Sequence, residues 1–209
     1  MTGTENAIAS NTVRGSDSTS EAQTVLVQAF GLELAAHPNT LLAFVGARTD
    51  WFTMHLRKYI RGAGLSSRVH VESVTSDVYW WFRAADAFVC ASDVESLPRT
   101  VLEAMAFSVP VIATRIFGLP ELIEDGVTGY LCEARDLKAL ADALERFLNT
   151  SPSERAGVAA AAARRVREKH DSRGYALAYD RLLRRLVEDP AVLPDEALTS
   201  AAPASLRTS

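Results

Sequence analysis

The feature that most constrains this chain is a repeated switch of apolar periodicity between strand and helix. Residues 41–45, 68–72, 86–91, 109–113 and 130–132 read as short strands. Between them, residues 22–36, 51–63, 76–85, 98–107 and 119–124 place their apolar side chains at helical spacing, and three more helices follow at 136–149, 153–168 and 172–187. Local punctuation agrees with this reading. Pro38 stops the first helix, Gly62 and Gly64 end the second, Ser76 and Asp77 suit the start of the third, and Pro98 suits a first turn. Strands that alternate with helices build a parallel sheet covered on both faces, so the expected fold class is α/β, a Rossmann-like doubly wound sheet with C-terminal helices. Such sheets bind ligands at the carboxyl ends of their strands.

A chain of 209 residues holds one such domain. The expected division is a polar segment over residues 1–21, partly disordered or forming a degenerate first strand, a Rossmann-like domain over 22–188, and a disordered tail over 189–209. Eight of the first 23 residues are Ser or Thr, and the last 20 hold three of the eight prolines. No apolar run approaches the roughly 18 residues of a membrane span, and the start lacks the apolar core of a secretory signal. Cys90 and Cys132 sit in apolar runs and read as reduced core thiols of a cytoplasmic protein. The net charge of −4 argues against a nucleic-acid binder.

The chemistry is expected just after the strand at 86–91. Glu95 and Glu103 are separated by seven residues, Glu95 in the loop and Glu103 about a turn and a half into the next helix. The helix N-terminus near Pro98 offers unpartnered amides and partial positive charge, which suit a phosphate. Carboxylates on either side can accept hydrogen bonds from hydroxyls. A nucleotide sugar would satisfy both. Spacing alone nonetheless favours the plainer reading, a solvated Glu95 and a helix-stabilising Glu103.

The wording of the segment changes that balance. Glu95-Ser96-Leu97-Pro98-Arg99-Thr100-Val101-Leu102-Glu103 is followed by Ala104-Met105-Ala106, by Val109 to Thr114, by Gly118-Leu119-Pro120-Glu121 and by Asp125-Gly126-Val127-Thr128-Gly129. These blocks resemble, in order and spacing, the C-terminal, donor-binding domain of the family 4, group 1 retaining glycosyltransferases, which have the GT-B fold. The resemblance runs from about residue 22 to 186. It implies hexosyl transfer from a nucleotide diphosphate sugar, with no cofactor and no metal, and with retention by front-face departure of the diphosphate. It implies a catalytic place for Glu95 beside the transferred sugar, helped by the amides of Ser96 and Leu97. Glu103 would bind the ribose, amides near Thr100 would face the diphosphate, and the loop from Gly46 would border the base. The two glutamates would then position and place charge, unlike the acid/base pair of a glycosidase.

The chain departs from the family in two ways. The family's enzymes carry two Rossmann-like domains, and this chain has room for one, so a separate N-terminal acceptor domain is expected. The family also opens this domain with a strand, a glycine turn and a basic pair that neutralises the diphosphate. Here residues 15–23 hold Ser20 and Glu21 where that pair belongs. The strand candidate, residues 7–14, sets Ser10 beside Asn11 in what should be a buried central run. A distorted first strand, or a gap beside residues 41–45, is therefore expected. The rival to an enzyme is a non-catalytic, degenerate GT-B module that binds nucleotide sugar or a partner protein.

Other features are weaker. Residues 153–185 hold nine Lys or Arg against four acids. This face reads as solvated, with peripheral contact at the inner membrane face, toward a lipid-linked acceptor, as the alternative. By resemblance the last helix would turn toward the acceptor domain and leave Tyr175, Leu182, Leu183 and Leu186 exposed. Trp51, Trp80 and Trp81 could stack a base, but core or helix-face packing is favoured. Arg57, Lys58 and Arg61 read as a solvated helix face. The histidines do not cluster at metal-ligand spacing, and no Walker or dinucleotide fingerprint occurs.

Overall fold

The strands are β1 (Asn6–Asn11), β2 (Thr40–Ala47), β3 (Val69–Ser73), β4 (Ala87–Cys90), β5 (Val111–Thr114) and β6 (Tyr130–Cys132). They form one sheet in the order β3-β2-β1-β4-β5-β6, with every neighbouring pair parallel. The helices are α1 (Asp17–Glu33), α2 (Trp51–Gly62), α3 (Val78–Ala84), α4 (Arg99–Ala106), α5 (Leu119–Leu122), α6 (Leu137–Asn149), α7 (Pro152–Lys169) and α8 (Ser172–Glu188). This computed structural model describes residues 6–11, 17–93 and 98–188. The chain divides into two units, residues 1–165 and 166–209. The fold is the Rossmann-like, doubly wound sheet with C-terminal helices that the periodicity predicts.

Right-handed crossovers put the helices that follow β1 and β2 on one face and those that follow β3, β4 and β5 on the other. Accordingly α1 packs on α2 and α6, while α3 touches β1 and α4 touches β4 and β5. All four residues of β4 and of β5 are buried, as expected of strands covered on both sides. In the core, Leu26 and Phe30 of α1 meet Phe44 of β2 and Leu144 and Phe147 of α6.

The expectation of a distorted first strand or a gap is corrected. β1 fills the central slot and pairs with β2 without a register shift, from Asn6 opposite Thr40 to Asn11 opposite Val45. Ser10 is buried within it. A parallel ladder is made by backbone groups, so a polar side chain does not forbid it. What replaces the missing apolar run is a polar clamp at the strand's start. The Ala7 N–H donates to Asp86 Oδ2 at 2.7 Å, the Asp86 N–H donates to the Ala7 carbonyl at 2.7 Å, and Arg155 Nη1 donates to Asn6 Oδ1 at 3.0 Å. Ile8 supplies the apolar anchor, at 1% exposure.

α1 begins at Asp17, earlier than the apolar periodicity indicates, because its first turns are polar and carry no period. Ser20 and Glu21 therefore lie inside a helix. Asp50, Asp77 and Asp136 each cap a helix through a side-chain oxygen, accepting from the N–H of Thr53, Trp80 and Ala139. α7 opens on a capping box: the Glu154 N–H donates to Ser151 Oγ and the Ser151 N–H to Glu154 Oε2.

The basic helices are not uniformly solvated. Arg155 is half-buried, and Arg165 donates to the Glu121 carbonyl at 2.8 Å. In the second unit no residue of α8 is buried. Tyr175 and Leu183 are exposed as expected, joined by Leu177, Tyr179 and Val187, while Leu182 and Leu186 are half-buried. Among the described residues no helix is long and apolar enough to cross a membrane.

Candidate functional site

The strand order reverses between β1 and β4, and the crevice at the carboxyl ends of these strands is where doubly wound sheets take ligands. β4 ends at Cys90, and the chain runs through Ser92 and Asp93 to Pro98 and α4. Glu95, Ser96 and Leu97 lie outside the described residues. The segment on either side of them is well defined. Thr114 Oγ1, at the end of β5, donates to the Ser92 carbonyl at 2.6 Å. Arg135, just past β6, holds Asp93 Oδ2 through Nε at 3.2 Å.

α4 begins with Pro98 as its N-cap, and among the described residues no side chain caps it. Helix geometry leaves the amides of Arg99 and Thr100 without an intrahelical acceptor. Pro98 itself is buried. The α4 N-terminus therefore presents donors without an intrahelical partner and a positive dipole end at the switch point. Glu103 stands one turn along the same helix, half-buried, its Oε1 3.5 Å from Arg99 Nη2. The Arg99 side chain is 89% exposed. A surface pair of this kind is worth about 0.3–0.5 kcal/mol, so the Glu103 carboxylate is readily available to another partner. Arg99 is also a cation at the positive end of its helix, where the dipole disfavours it.

Gly46 lies inside β2, not in the loop after it. Its φ of 96° is a conformation for glycine, and it sits where the β2–β3 register shifts between Val45 and Ala47. An extra residue here re-aims the end of β2 at the edge of the crevice. Thr100 and Glu103 thus share α4, and Gly46 lies on a strand two places away from β4 in the sheet.

Sequence reasoning missed Asp93, Thr114 and Arg135. They line a cavity of about 170 Å³ at the ends of β4, β5 and β6, with Ala22, Val25 and Leu140 as its apolar wall. Their signal was present as polar residues directly after strands, but the pairing of Asp93 with Arg135 spans 42 positions and no local pattern announces it.

The weaker candidates resolve individually. Trp51 and Trp80 are each 56% exposed, so they are on helix surfaces and not in the core. Arg57 is exposed but donates to the Val71 carbonyl at 2.7 Å. Cys90 and Cys132 are both buried thiols. Burial, followed by the nearby Glu133 carboxylate, pushes the Cys132 thiol up to about 12, which leaves it unreactive. Among the described residues no group of three or more His, Cys, Asp or Glu is placed to hold a metal.

The family model described as Glycosyl transferases group 1 matches residues 13–150. The chain belongs to this family. It is 31% identical over 165 residues to the lipopolysaccharide core biosynthesis mannosyltransferase LpsB of Rhizobium meliloti, covering 70% of this chain and 47% of the relative. Its fold matches the C-terminal domain of a glycosyl transferase group 1 family protein, LpcC, from Francisella tularensis, with a TM-score of 0.69 and 26% identity over 80% of this chain and 87% of that one. It also matches Anabaena Alr3699/HepE, solved in complex with UDP and glucose, with a TM-score of 0.68 and 25% identity over 78% of this chain and 44% of that one. The chain spans less than half the length of the curated relatives it matches.

Proposed function

We propose that this group 1 glycosyl transferase chain binds a nucleotide diphosphate sugar at the β1/β4 switch point and acts as the donor half of a retaining hexosyltransferase. The observation that carries this reading is the α4 N-terminus. Amides of Arg99 and Thr100 without an intrahelical partner stand one turn from the half-buried Glu103 carboxylate, which offers a phosphate site and a ribose-hydroxyl acceptor on one rigid element. The family roles then fall on this chain as follows. The amides near Thr100 meet the diphosphate, Glu103 takes the ribose hydroxyls, and Gly46 borders the base. Glu95, with the amides of Ser96 and Leu97, serves the transferred sugar. The helix amides and dipole, not a metal, meet the diphosphate charge. The relative solved with UDP and glucose supports this class of donor.

The acceptor would be bound by a further Rossmann-like domain beyond this chain, and the exposed apolar residues of α8, Tyr175 and Leu183 among them, suit contact with it. The compartment proposed is the cytoplasm, where the two buried thiols stay reduced.

Calorimetric titration with UDP-glucose and GDP-mannose tests the donor site. At least one should bind, and Glu103→Ala should weaken it about 10- to 100-fold, the worth of hydrogen bonds to a charged acceptor. Failure of both donors to bind, or an unchanged affinity in Glu103→Ala, would overturn the reading. One point of the resemblance favours the non-catalytic rival: Ser20 and Glu21, inside α1, stand where the family's basic pair is expected. Binding of donor without transfer after an acceptor domain has been supplied would decide for that rival.

A further inference from the structure

Arg99 goes against two local preferences of its own helix. It stands in the first turn of α4, where the positive end of the dipole repels a cation. It also precedes Glu103 by four residues, and an acid ahead of a base is the better order at that spacing. The return for this is small. The Arg99 side chain is 89% exposed, and its Nη2 lies 3.5 Å from Glu103 Oε1, longer than the roughly 2.7–2.9 Å of a charge-assisted hydrogen bond. The arginines that follow the next two strands are more closely engaged. Arg115, after β5, lies 3.2 Å from Glu133, and Arg135, after β6, lies 3.2 Å from Asp93. Arg48 follows β2, two places along the sheet from β4. Arg99 is thus a loosely held guanidinium on the same turn as the α4 amides. A residue kept against local preference, with little packing in return, is where a functional demand is expected.

We propose that Arg99 is a donor-binding residue whose guanidinium meets the diphosphate of the nucleotide sugar, together with the amides of Arg99 and Thr100. This rests on the donor-binding reading given above. An anion at the α4 N-terminus makes the placement favourable, because dipole, amides and guanidinium then all face negative charge. In the empty site the guanidinium stays near the Glu103 carboxylate. With donor bound it exchanges that partner for phosphate oxygens, which its planar fork fits, and leaves Glu103 to the ribose hydroxyls.

Titration of the chain with UDP and uridine, and with GDP and guanosine, separates this role from that of Glu103. For the base that the parent accepts, Arg99→Gln should weaken the nucleoside diphosphate about 10- to 30-fold and change the nucleoside by less than about twofold, because only the former carries the phosphates. Its remaining affinity for the diphosphate should also depend less on salt. Arg99→Lys, a cation without the fork, should fall between Arg99→Gln and the parent. Arg99→Gln should melt no lower than the parent, since it takes a cation away from the positive end of α4. Unchanged affinity for the diphosphate in Arg99→Gln overturns the proposal. Equal losses for nucleoside and diphosphate overturn it too, because Arg99 would then act only by holding Glu103 or the fold. A parent that binds neither UDP nor GDP sinks the donor reading, and the proposal falls with it. A parent that binds one of them as tightly as Arg99→Gln does leaves that reading standing and removes Arg99 alone.

Discussion

Val111, Ile112 and Ala113 of β5 are wholly buried, and apolar contact on both faces holds that strand. Two places along the same sheet, β1 carries Asn6, Ser10 and Asn11, and polar bonds from Asp86 and Arg155 fix its start. Both strands are interior, and both are paired on each side. The comparison shows that a central slot can be specified in two ways. An apolar strand excludes water along its whole length, whereas a polar one must be pinned by groups brought from far away in sequence. The first kind is tolerant of lost polar bonds and intolerant of added volume; the second is the reverse.

The largest effect should come from adding volume on the apolar side. A Cβ on Gly129 would lie 2.9 Å from the Val111 carbonyl oxygen and 2.8 Å from Ile123 Cγ2, closer than real Cβ atoms approach. The carbonyl belongs to β5 and cannot move without breaking the ladder. Gly129→Ala should cost about 3 kcal/mol, read as a shift of the urea midpoint. A cost below about 1 kcal/mol would show that the β5–β6 side is looser than its burial implies.

The polar side should break at Arg155. Its guanidinium donates to the carbonyls of Leu148 and Thr150 and to Asn6 Oδ1, and it lies 4.2 Å from the centroid of the Phe147 ring. Arg155→Ala leaves two part-buried carbonyls without this donor and frees the first residue of β1. The expected cost is about 2 kcal/mol. Hydrogen exchange sharpens the comparison: amides of β1 should exchange faster, while those of β5 should change only with global stability. Equal acceleration in both strands would mean that Arg155 supports the domain as a whole and does not pin β1.

This difference also accounts for what the sequence made legible. The β4–β5–β6 side could be read because apolar runs, caps and the Glu95–Glu103 wording all lie within short windows. The location of Thr100 and Glu103 on α4 followed from Pro98 and the apolar spacing after it. β1 is hard to read from sequence because its polar residues break the apolar run of a buried strand, and its partner Arg155 is 149 positions away from Asn6. Arg155 itself looks in sequence like one charge on a solvated face, although its three hydrogen bonds make it part of the fold. Arg135 and Asp93 escaped for the same reason. An ion pair between two loops has no period.

The smallest expected effect concerns pH and belongs to the turn that leads into β6. Asp125 Oδ1 accepts from the Leu131 N–H at 2.9 Å, and the Arg146 guanidinium contacts both carboxylate oxygens at 3.1 and 3.2 Å. Partial burial works against the charged carboxyl, but the Leu131 hydrogen bond and Arg146 outweigh it, so its pKa lies below the ordinary 3.8. A carboxylate whose pKa is lower in the folded chain stabilises the fold above the unfolded pKa, and this contribution disappears as pH falls through the folded value. It should therefore be complete at neutral pH and lost only in the acid range below about pH 4. Asp125→Asn should lower stability modestly at pH 7, because the pair is partly exposed and solvent screens it. It should also flatten the decline in stability below about pH 4, where the parent loses the ion pair and the variant has none to lose. The apolar β5 needs no such charge, so if the parent and Asp125→Asn decline with equal slope, the turn is held by Gly129 and its packing alone and the carboxylate contributes nothing to the β6 edge.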